Sequence, residues 1–210
     1  MSNEVKIHYF LGRGRAETTR WMLAINQINF KNIPIMTPED LFELRSSGKL
    51  PFDQMPLLEI NGMNLSQSSG MTRYLARIGG YYGESDKEAL YCDMFAGAIT
   101  DFAEASMQAA FQPSKEIAVN MLQDRFNKFA PKFELRIKEN GYELCVGKKI
   151  SFADVILAEA LSSYIEWIPE LLNDNPLLLS IYEKILNEIG IKSYLNSELR
   201  YPKPDEKYVI

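Results

Sequence analysis

A short run rich in glycine and arginine near the N-terminus carries the first side chains that could do chemistry. Tyr9 ends a stretch of alternating apolar and polar residues, and Gly12, Arg13, Gly14 and Arg15 follow it. A phenol at the end of a strand could donate a hydrogen bond to a thiolate, which lowers the pKa of that thiol. The alternative is an ordinary tyrosine packed on a sheet.

The same glycines also suggest a phosphate-binding loop. A glycine turn between a strand and a helix exposes backbone N–H groups to phosphate. The third glycine of the dinucleotide-binding pattern is absent here, and so is a clear acidic residue after the second strand. A turn with solvated arginines is the simpler interpretation.

A second polar group stands at loop and helix-start positions. Gln67 and Ser68 at a helix N-terminus could receive a carboxylate, helped by the positive end of the helix dipole. Ser66 or Ser68 could equally be a simple helix cap. Arg45 and Gln54 lie in the loops on the same side of the expected sheet.

Met55-Pro56 opens the first strand of a hairpin. A cis proline here would leave the N–H and C=O of Met55 available to an extended peptide ligand, whereas a trans proline at a strand start is the commoner local arrangement.

The chain itself supplies no obvious reactive thiol. Cys92 and Cys145 are far apart, no Cys-x-x-Cys pair is present, and His8 is the single histidine. Neither a metal site nor protein disulfide exchange is expected, so any thiol chemistry must use a thiol from a ligand.

Composition points to an ordinary globular protein. Of the 210 residues 46% are hydrophobic and 24% charged, and the formal net charge is -5. This balance argues against nucleic acid or an anionic membrane as a partner. No stretch is apolar enough to span a bilayer and the first residues do not resemble a secretory signal, so we expect a cytoplasmic protein.

The pattern of elements predicts how these residues are positioned. We expect strands at residues 5–10, 30–35, 57–60 and 63–65 and helices at 16–28, from Thr37, and at 68–78. Pro34 indicates an edge strand, and Asn61-Gly62 indicates a hairpin turn. The order βαβ, α, ββα is thioredoxin-like, and the first two strands should be parallel.

The remainder has helical periodicity. We therefore predict an α/β thioredoxin-like domain at residues 1–80, a linker at 81–85 and an all-α helical bundle at 86–210. Ser151 to Asp154 forms a capping box, and Pro169 and Pro176 are expected to bound short helices. The last ten residues should be irregular.

Several motifs together resemble the cytosolic glutathione S-transferases, most of all the alpha class. They are the run from His8 to Trp21, Phe52-Asp-Gln-Met-Pro, Gln67-Ser68, Asp101 and the box at Ser151. The resemblance covers nearly the whole chain. It implies an enzyme that conjugates glutathione, as co-substrate, to small hydrophobic electrophiles, with isomerase or peroxidase activity on the same thiolate, and no permanently bound cofactor.

The resemblance also assigns roles to residues. It makes Tyr9 the hydrogen-bond donor to the glutathione sulfur and Arg15 the cation that supports the thiolate. Arg45 would hold the glycine carboxylate, and Met55 would pair with the cysteinyl backbone before a cis Pro56.

Other residues would complete the tripeptide site. Gln54, Gln67 and Ser68 would hold the rest of glutathione, and Asp101 of the partner subunit would reach the γ-glutamyl amine. Lys128 stands where alpha enzymes use an arginine from the second subunit, which keeps the charge without the fork geometry.

The resemblance further implies a homodimer with a hydrophobic substrate pocket. Phe52 would be an aromatic key inserted between helices of the partner. Phe10, Gly12, Met107 and Phe111 would face the electrophile.

Two further expectations concern the end of the chain and the runner-up function. The chain is shorter than the alpha class needs for its full C-terminal lid helix, but Tyr208, Val209 and Ile210 could still fold over the site. The alternative function is a non-enzymatic ligand-binding or crystallin-like protein. The presence of Tyr9, Arg15 and Gln67 favours the enzyme.

Overall fold

In the computed structural model, which describes residues 4–203, four short strands form one mixed sheet. They are β1 (Val5–Tyr9), β2 (Phe30–Pro34), β3 (Leu57–Ile60) and β4 (Met63–Leu65), and their order across the sheet is β2-β1-β3-β4. β1 and β2 are parallel, whereas β3 is antiparallel to both β1 and β4. The edge position of β2, which ends at Pro34, and the hairpin at Asn61-Gly62 are therefore confirmed.

Three α-helices belong with this sheet in the first 79 residues. They are α1 (Glu17–Ile25), α2 (Pro38–Ser46) and α3 (Ser68–Gly79). A 3-10 turn (Gly14–Ala16) precedes α1, so α1 is shorter at both ends than predicted. It stops before residue 28 because Gln27 has a φ of 55°, outside the helical region.

The rest of the described chain is helical, as predicted. The helices are α4 (Asp86–Ala109), α5 (Lys115–Asn140), α6 (Phe152–Ile165), α7 (Pro176–Leu186) and α8 (Ile189–Leu195). Pro176 begins α7, where its missing N–H removes no helical hydrogen bond. The prediction for Pro169 is wrong, since it lies in a run of turns between α6 and α7. The thioredoxin-like order followed by a helical bundle is confirmed.

Contacts divide the described residues into two compact units. The first holds the described residues up to Gly79 together with Ile189–Pro202, and the second holds Gly80–Glu188 and Lys203. The domain boundaries given above, with a linker at 81–85, stay a prediction. The terminal residues Tyr208, Val209 and Ile210 lie outside the described part of the chain.

Each unit has its own core. In the first, Trp21, Met22 and Leu58 are fully buried. In the second, the ring of Phe102 stacks on that of Tyr164 with centroids 4.2 Å apart, and the Tyr164 hydroxyl donates to the Phe102 carbonyl at 2.7 Å. Burial of large aromatic side chains is a main source of stability in such cores.

Candidate active site

Strand pairing gathers the first-unit candidates at one end of the sheet. β1 ends at Tyr9 and β3 begins at Leu57, and their antiparallel pairing sets the end of β1 beside the start of β3. Pro56 therefore precedes β3 at this end. β4 is antiparallel to β3, so Gln67, which follows β4, lies at this end too.

The phenol of Tyr9 is held by the turn that follows it. Its oxygen accepts a hydrogen bond from the backbone N–H of Arg15 at 3.2 Å, and the side chain is half-buried. Within residues 4–203 no acceptor takes the phenolic proton. Because a bond accepted at a hydroxyl oxygen strengthens the donor on that oxygen, the geometry leaves Tyr9 suited to donate to a ligand.

Gly14 is a site residue that we did not predict from the sequence. Its φ is 41°, and a Cβ placed on it would lie 2.6 Å from the phenol oxygen of Tyr9. The tyrosine ring therefore packs directly on the backbone at Gly14, which no other residue type would allow. The only available signal was the pair Gly12 and Gly14 after the first strand, and that spacing indicates a turn without showing that a ring packs on it.

The second polar group is also brought together. The Gln67 side-chain amide donates to the Gln54 side-chain oxygen at 3.1 Å, and Ser68 is the first residue of α3. Gln67 has a φ of 68°, an uncommon conformation for a residue with a side chain. Arg45 lies in the last turn of α2 and not in a loop as predicted, because that helix continues to Ser46. Its Nε donates to the Asp53 carbonyl at 3.4 Å. Arg45 thus reaches the loop that carries Gln54.

The peptide bond between Met55 and Pro56 is cis. Met55 packs against a small core that includes Ile35, Leu44 and Leu57. No hydrogen bond within residues 4–203 involves its backbone N–H or C=O. The cis bond agrees with the expectation from the family, and the role of Met55 in binding stays a prediction.

Four candidates lie in the second unit. Asp101 and Met107 are on α4, Phe111 follows α4 and is 58% exposed, and Lys128 is on α5. The backbone carbonyl of Asp101 accepts a hydrogen bond from Arg125, one turn before Lys128. Their roles in binding remain predictions.

Neither cysteine is placed for nucleophilic chemistry. Burial raises the pKa of Cys92 to about 11 and also raises that of Cys145. Both thiols are therefore protonated at neutral pH, which supports the inference that a reacting thiol comes from a ligand. Residues 4–203 contain no group of three or more His, Cys, Asp or Glu side chains that could hold a metal ion.

Comparison with known proteins defines the family. Residues 5–77 match the model for the glutathione S-transferase N-terminal domain, and residues 100–198 match the C-terminal domain. The chain is 36% identical to glutathione S-transferase A2 of Bos taurus over 211 residues, covering 99% of this chain and 95% of that protein. It is 35% identical to glutathione S-transferase alpha-5 of Rattus norvegicus, covering 100% and 96%.

A solved structure of the same family has a similar fold. The monomeric glutathione S-transferase Na-GST-3 of the hookworm Necator americanus has a TM-score of 0.82 at 25% identity, covering 93% of this chain and 98% of that one. The chain belongs to the glutathione S-transferase family, and it is an enzyme of that family. No helix within residues 4–203 is both long and apolar enough to cross a membrane.

Proposed function

We propose that this protein conjugates the thiolate of glutathione to hydrophobic electrophiles through Tyr9. The observation that carries the proposal is the hydrogen bond from the Arg15 N–H to the Tyr9 oxygen at 3.2 Å, with the phenolic proton left to donate. A thiolate that accepts this proton in a hydrogen bond is stabilised relative to the thiol. The guanidinium of Arg15, on the exposed turn, adds a positive charge to the same end of the sheet.

The reaction follows from that geometry. Glutathione loses its thiol proton to solvent on binding, and Tyr9 holds the resulting anion. The sulfur then uses its electron pair to form a bond to an electrophilic carbon, and the leaving group departs with the electrons of the broken bond. The residues of this chain thus bind and orient the thiolate and lower the pKa of its parent thiol.

The other polar candidates would fix the tripeptide. Arg45 suits a carboxylate, since its guanidinium offers two parallel donors. Ser68 and Gln67 stand where the N-terminus of α3 favours a second carboxylate. Met55, before Pro56, offers an N–H and a C=O to the cysteinyl backbone.

Three more residues complete this assignment. Gln54 is already bonded to Gln67 and would share its ligand. Asp101 and Lys128 are proposed to act on glutathione bound by the partner subunit, and Asp101 would do so through the γ-glutamyl amine.

The electrophile is proposed to meet Phe10, Gly12, Met107 and Phe111. Phe10 is 46% exposed, and its ring lies 5.5 Å from that of Tyr9 between centroids. An exposed aromatic side chain beside the phenol is suited to an apolar substrate. Isomerase or peroxidase activity would use the same thiolate.

We place the protein in the cytoplasm, in agreement with its resemblance to the cytosolic glutathione S-transferases.

A conjugation assay with chlorodinitrobenzene tests the function. The wild-type protein should form the glutathione conjugate, and Tyr9→Phe should lose about 1.5–3 kcal/mol of thiolate stabilisation, or about 10- to 100-fold in kcat. Tyr74→Phe is the matched control, because that hydroxyl accepts from the Asn61 side chain at 2.9 Å. Equal activity of Tyr9→Phe and wild type would contradict the proposal, and an inactive wild type would favour the ligand-binding alternative.

We also propose that the protein is a homodimer in which Phe52 inserts into the partner. Phe52 lies in the loop after α2 and is 65% exposed, so its ring is accessible to a partner subunit. Light scattering of the wild type should give about twice the chain mass, and Phe52→Ser should give the chain mass. The hookworm relative is described as monomeric. A fully active wild-type monomer would overturn both the dimer and the cross-subunit role of Asp101.

A further inference from the structure

A buried ion pair lies directly behind the turn that carries Arg15. Arg20 and Glu17, both on α1, are 1% and 2% exposed, and the Arg20 Nη1 lies 3.1 Å from a Glu17 oxygen. The periodicity of α1 gave no sign of this pair. A fully buried pair adds little stability compared with apolar packing, so its specific geometry calls for an explanation.

The arginine reaches out of its helix into the preceding turn. Its Nη1 group donates to the carbonyl of Gly12 at 3.0 Å and to that of Arg13 at 3.3 Å. Its Nε donates to the side-chain oxygen of Asn32 on β2 at 2.9 Å. Arg20 therefore joins α1, the turn and the neighbouring strand through one rigid planar group.

The two carbonyls held by Arg20 define the turn next to the phenol. The Arg13 carbonyl also accepts the N–H of Ala16 at 3.2 Å, which closes the 3-10 turn. That turn contains Gly14, on which the Tyr9 ring packs, and Arg15, whose N–H reaches the phenol oxygen. The position of the phenol thus depends on carbonyls that Arg20 fixes.

The segment after α8 covers the same arginine. The ring of Tyr201 lies over the Arg20 guanidinium at 4.8 Å, and the Tyr201 carbonyl accepts from Arg13 Nε at 2.7 Å. The Tyr194 hydroxyl donates to Glu17 at 3.0 Å. These contacts exclude water from the pair and strengthen its hydrogen bonds.

We propose that Arg20 is a positioning residue for thiol activation, which holds the Gly12–Arg15 turn so that the Tyr9 phenol meets the glutathione sulfur. Arg20 is 1% exposed, so we expect it to act through Tyr9 and not by contact with a ligand. The inference rests on the proposed function. An ammonium in its place keeps the charge but offers a single nitrogen, which cannot bond Glu17, Asn32 and both carbonyls together.

The variant Arg20→Lys tests this role. We expect the thiol pKa of bound glutathione, measured from thiolate absorbance in the ultraviolet, to rise by about one unit and kcat for chlorodinitrobenzene to fall about tenfold. The KM for the electrophile should change little. Arg136→Lys is the matched control, since Arg136 also pairs with a glutamate three residues away, Glu139, but on an exposed helix face. It should leave the thiol pKa unchanged.

A double-mutant cycle shows whether Arg20 acts through the phenol. In the Tyr9→Phe background, Arg20→Lys should hardly change the pKa of the bound thiol, because the group that it positions is gone. The same rise in the thiol pKa in both backgrounds would overturn the inference. An Arg20→Lys protein that is less stable but has the thiol pKa of the wild type would overturn it as well. If the wild type itself does not lower the thiol pKa of bound glutathione, the proposed function has failed instead.

A milder variant covers the case in which Arg20→Lys does not fold. Asn32→Ala removes the acceptor of the Arg20 Nε bond, together with the Asn32 side-chain N–H that donates to the Leu199 carbonyl at 2.9 Å. Asn32 sits at a half-buried position on the edge strand. It should raise the pKa of the bound thiol in the same direction by a smaller amount. No rise in a folded Asn32→Ala protein that binds glutathione normally would count against the positioning role.

Discussion

Each unit of the molecule buries a carboxylate, and the two carboxylates are satisfied in different ways. Glu17, in the first unit, faces a cation: it accepts from Arg20 at 3.1 Å, from the Trp21 indole at 3.1 Å and from the Tyr194 hydroxyl at 3.0 Å. The hydrogen bonds of its partner continue into the turn beside the phenol.

Asp154, in the second unit, is fully buried among neutral donors. It accepts from the Cys145 N–H at 2.7 Å and from the Ser151 N–H and hydroxyl, both at 2.8 Å. These bonds stay between the start of α6 and the loop before it. Changes around Glu17 should therefore alter the chemistry, whereas changes around Asp154 should alter only the free energy of unfolding.

Asp154→Ala should give the largest effect and tests the second half of this comparison. The change leaves the buried N–H groups of Cys145 and Ser151 without an acceptor, so we expect the free energy of unfolding to fall by about 2–4 kcal/mol. Denaturant unfolding measures the loss, and the exposed Asp174→Ala is the control. The kcat of the folded fraction should be unchanged, and a large fall in kcat would show that Asp154 also affects the chemistry.

The pH dependence at Asp154 has a definite sign. Burial raises the pKa of this carboxyl above its ordinary value of 3.8, with the hydrogen bonds from Cys145 and Ser151 opposing the shift. The native state therefore binds the proton more tightly than the unfolded chain. The contribution of the Asp154 carboxyl to the free energy of unfolding therefore falls as pH rises from about 3.8 through the native pKa. The free energy of unfolding of the wild type minus that of Asp154→Asn should decrease over that pH range.

The capping interaction at Asp154 could be predicted because it is local. Ser151 and Asp154 are three residues apart, and the same spacing of Thr37 and Asp40 marks the start of α2, where both capping bonds form. The hairpin at Asn61-Gly62 could be predicted for the same reason, because its signal lies in two adjacent residues. The edge position of β2 follows from the missing N–H of one residue, Pro34.

The pair of Glu17 and Arg20 could not be predicted, because its meaning depends on distant parts of the chain. A glutamate and an arginine three residues apart on a helix look like an exposed pair. The pair is buried by Asn32 and by the side chains of Tyr194 and Tyr201. Both tyrosines lie more than 170 residues further along the chain. The contact between Gly14 and the Tyr9 phenol could not be predicted either, since no sequence pattern shows which glycine packs against an aromatic ring.

Gly14→Ala should give the next largest effect and tests the first half of the comparison. The new methyl group would collide with the Tyr9 phenol, and the φ of 41° disfavours any side chain. We expect kcat/KM to fall about 10- to 100-fold and the free energy of unfolding to fall by about 1–2 kcal/mol. Gly141→Ala is the control for backbone strain alone, because its φ is 78° and its Cβ would meet nothing within 4 Å. Equal kcat/KM in the two variants would show that the contact with the phenol is unimportant.

Gly97→Ala should give the smallest effect, and in the opposite direction. Gly97 lies inside α4 with ordinary helical backbone, and a Cβ there would meet nothing within 4 Å. Alanine loses less backbone entropy on folding than glycine, so the free energy of unfolding should rise by about 0.5–1 kcal/mol. Thermal unfolding of wild type, Gly97→Ala and Gly14→Ala in parallel would measure this. If the thiol pKa of bound glutathione also changed in Gly97→Ala, the second unit would be coupled to the chemistry more closely than its buried carboxylate implies.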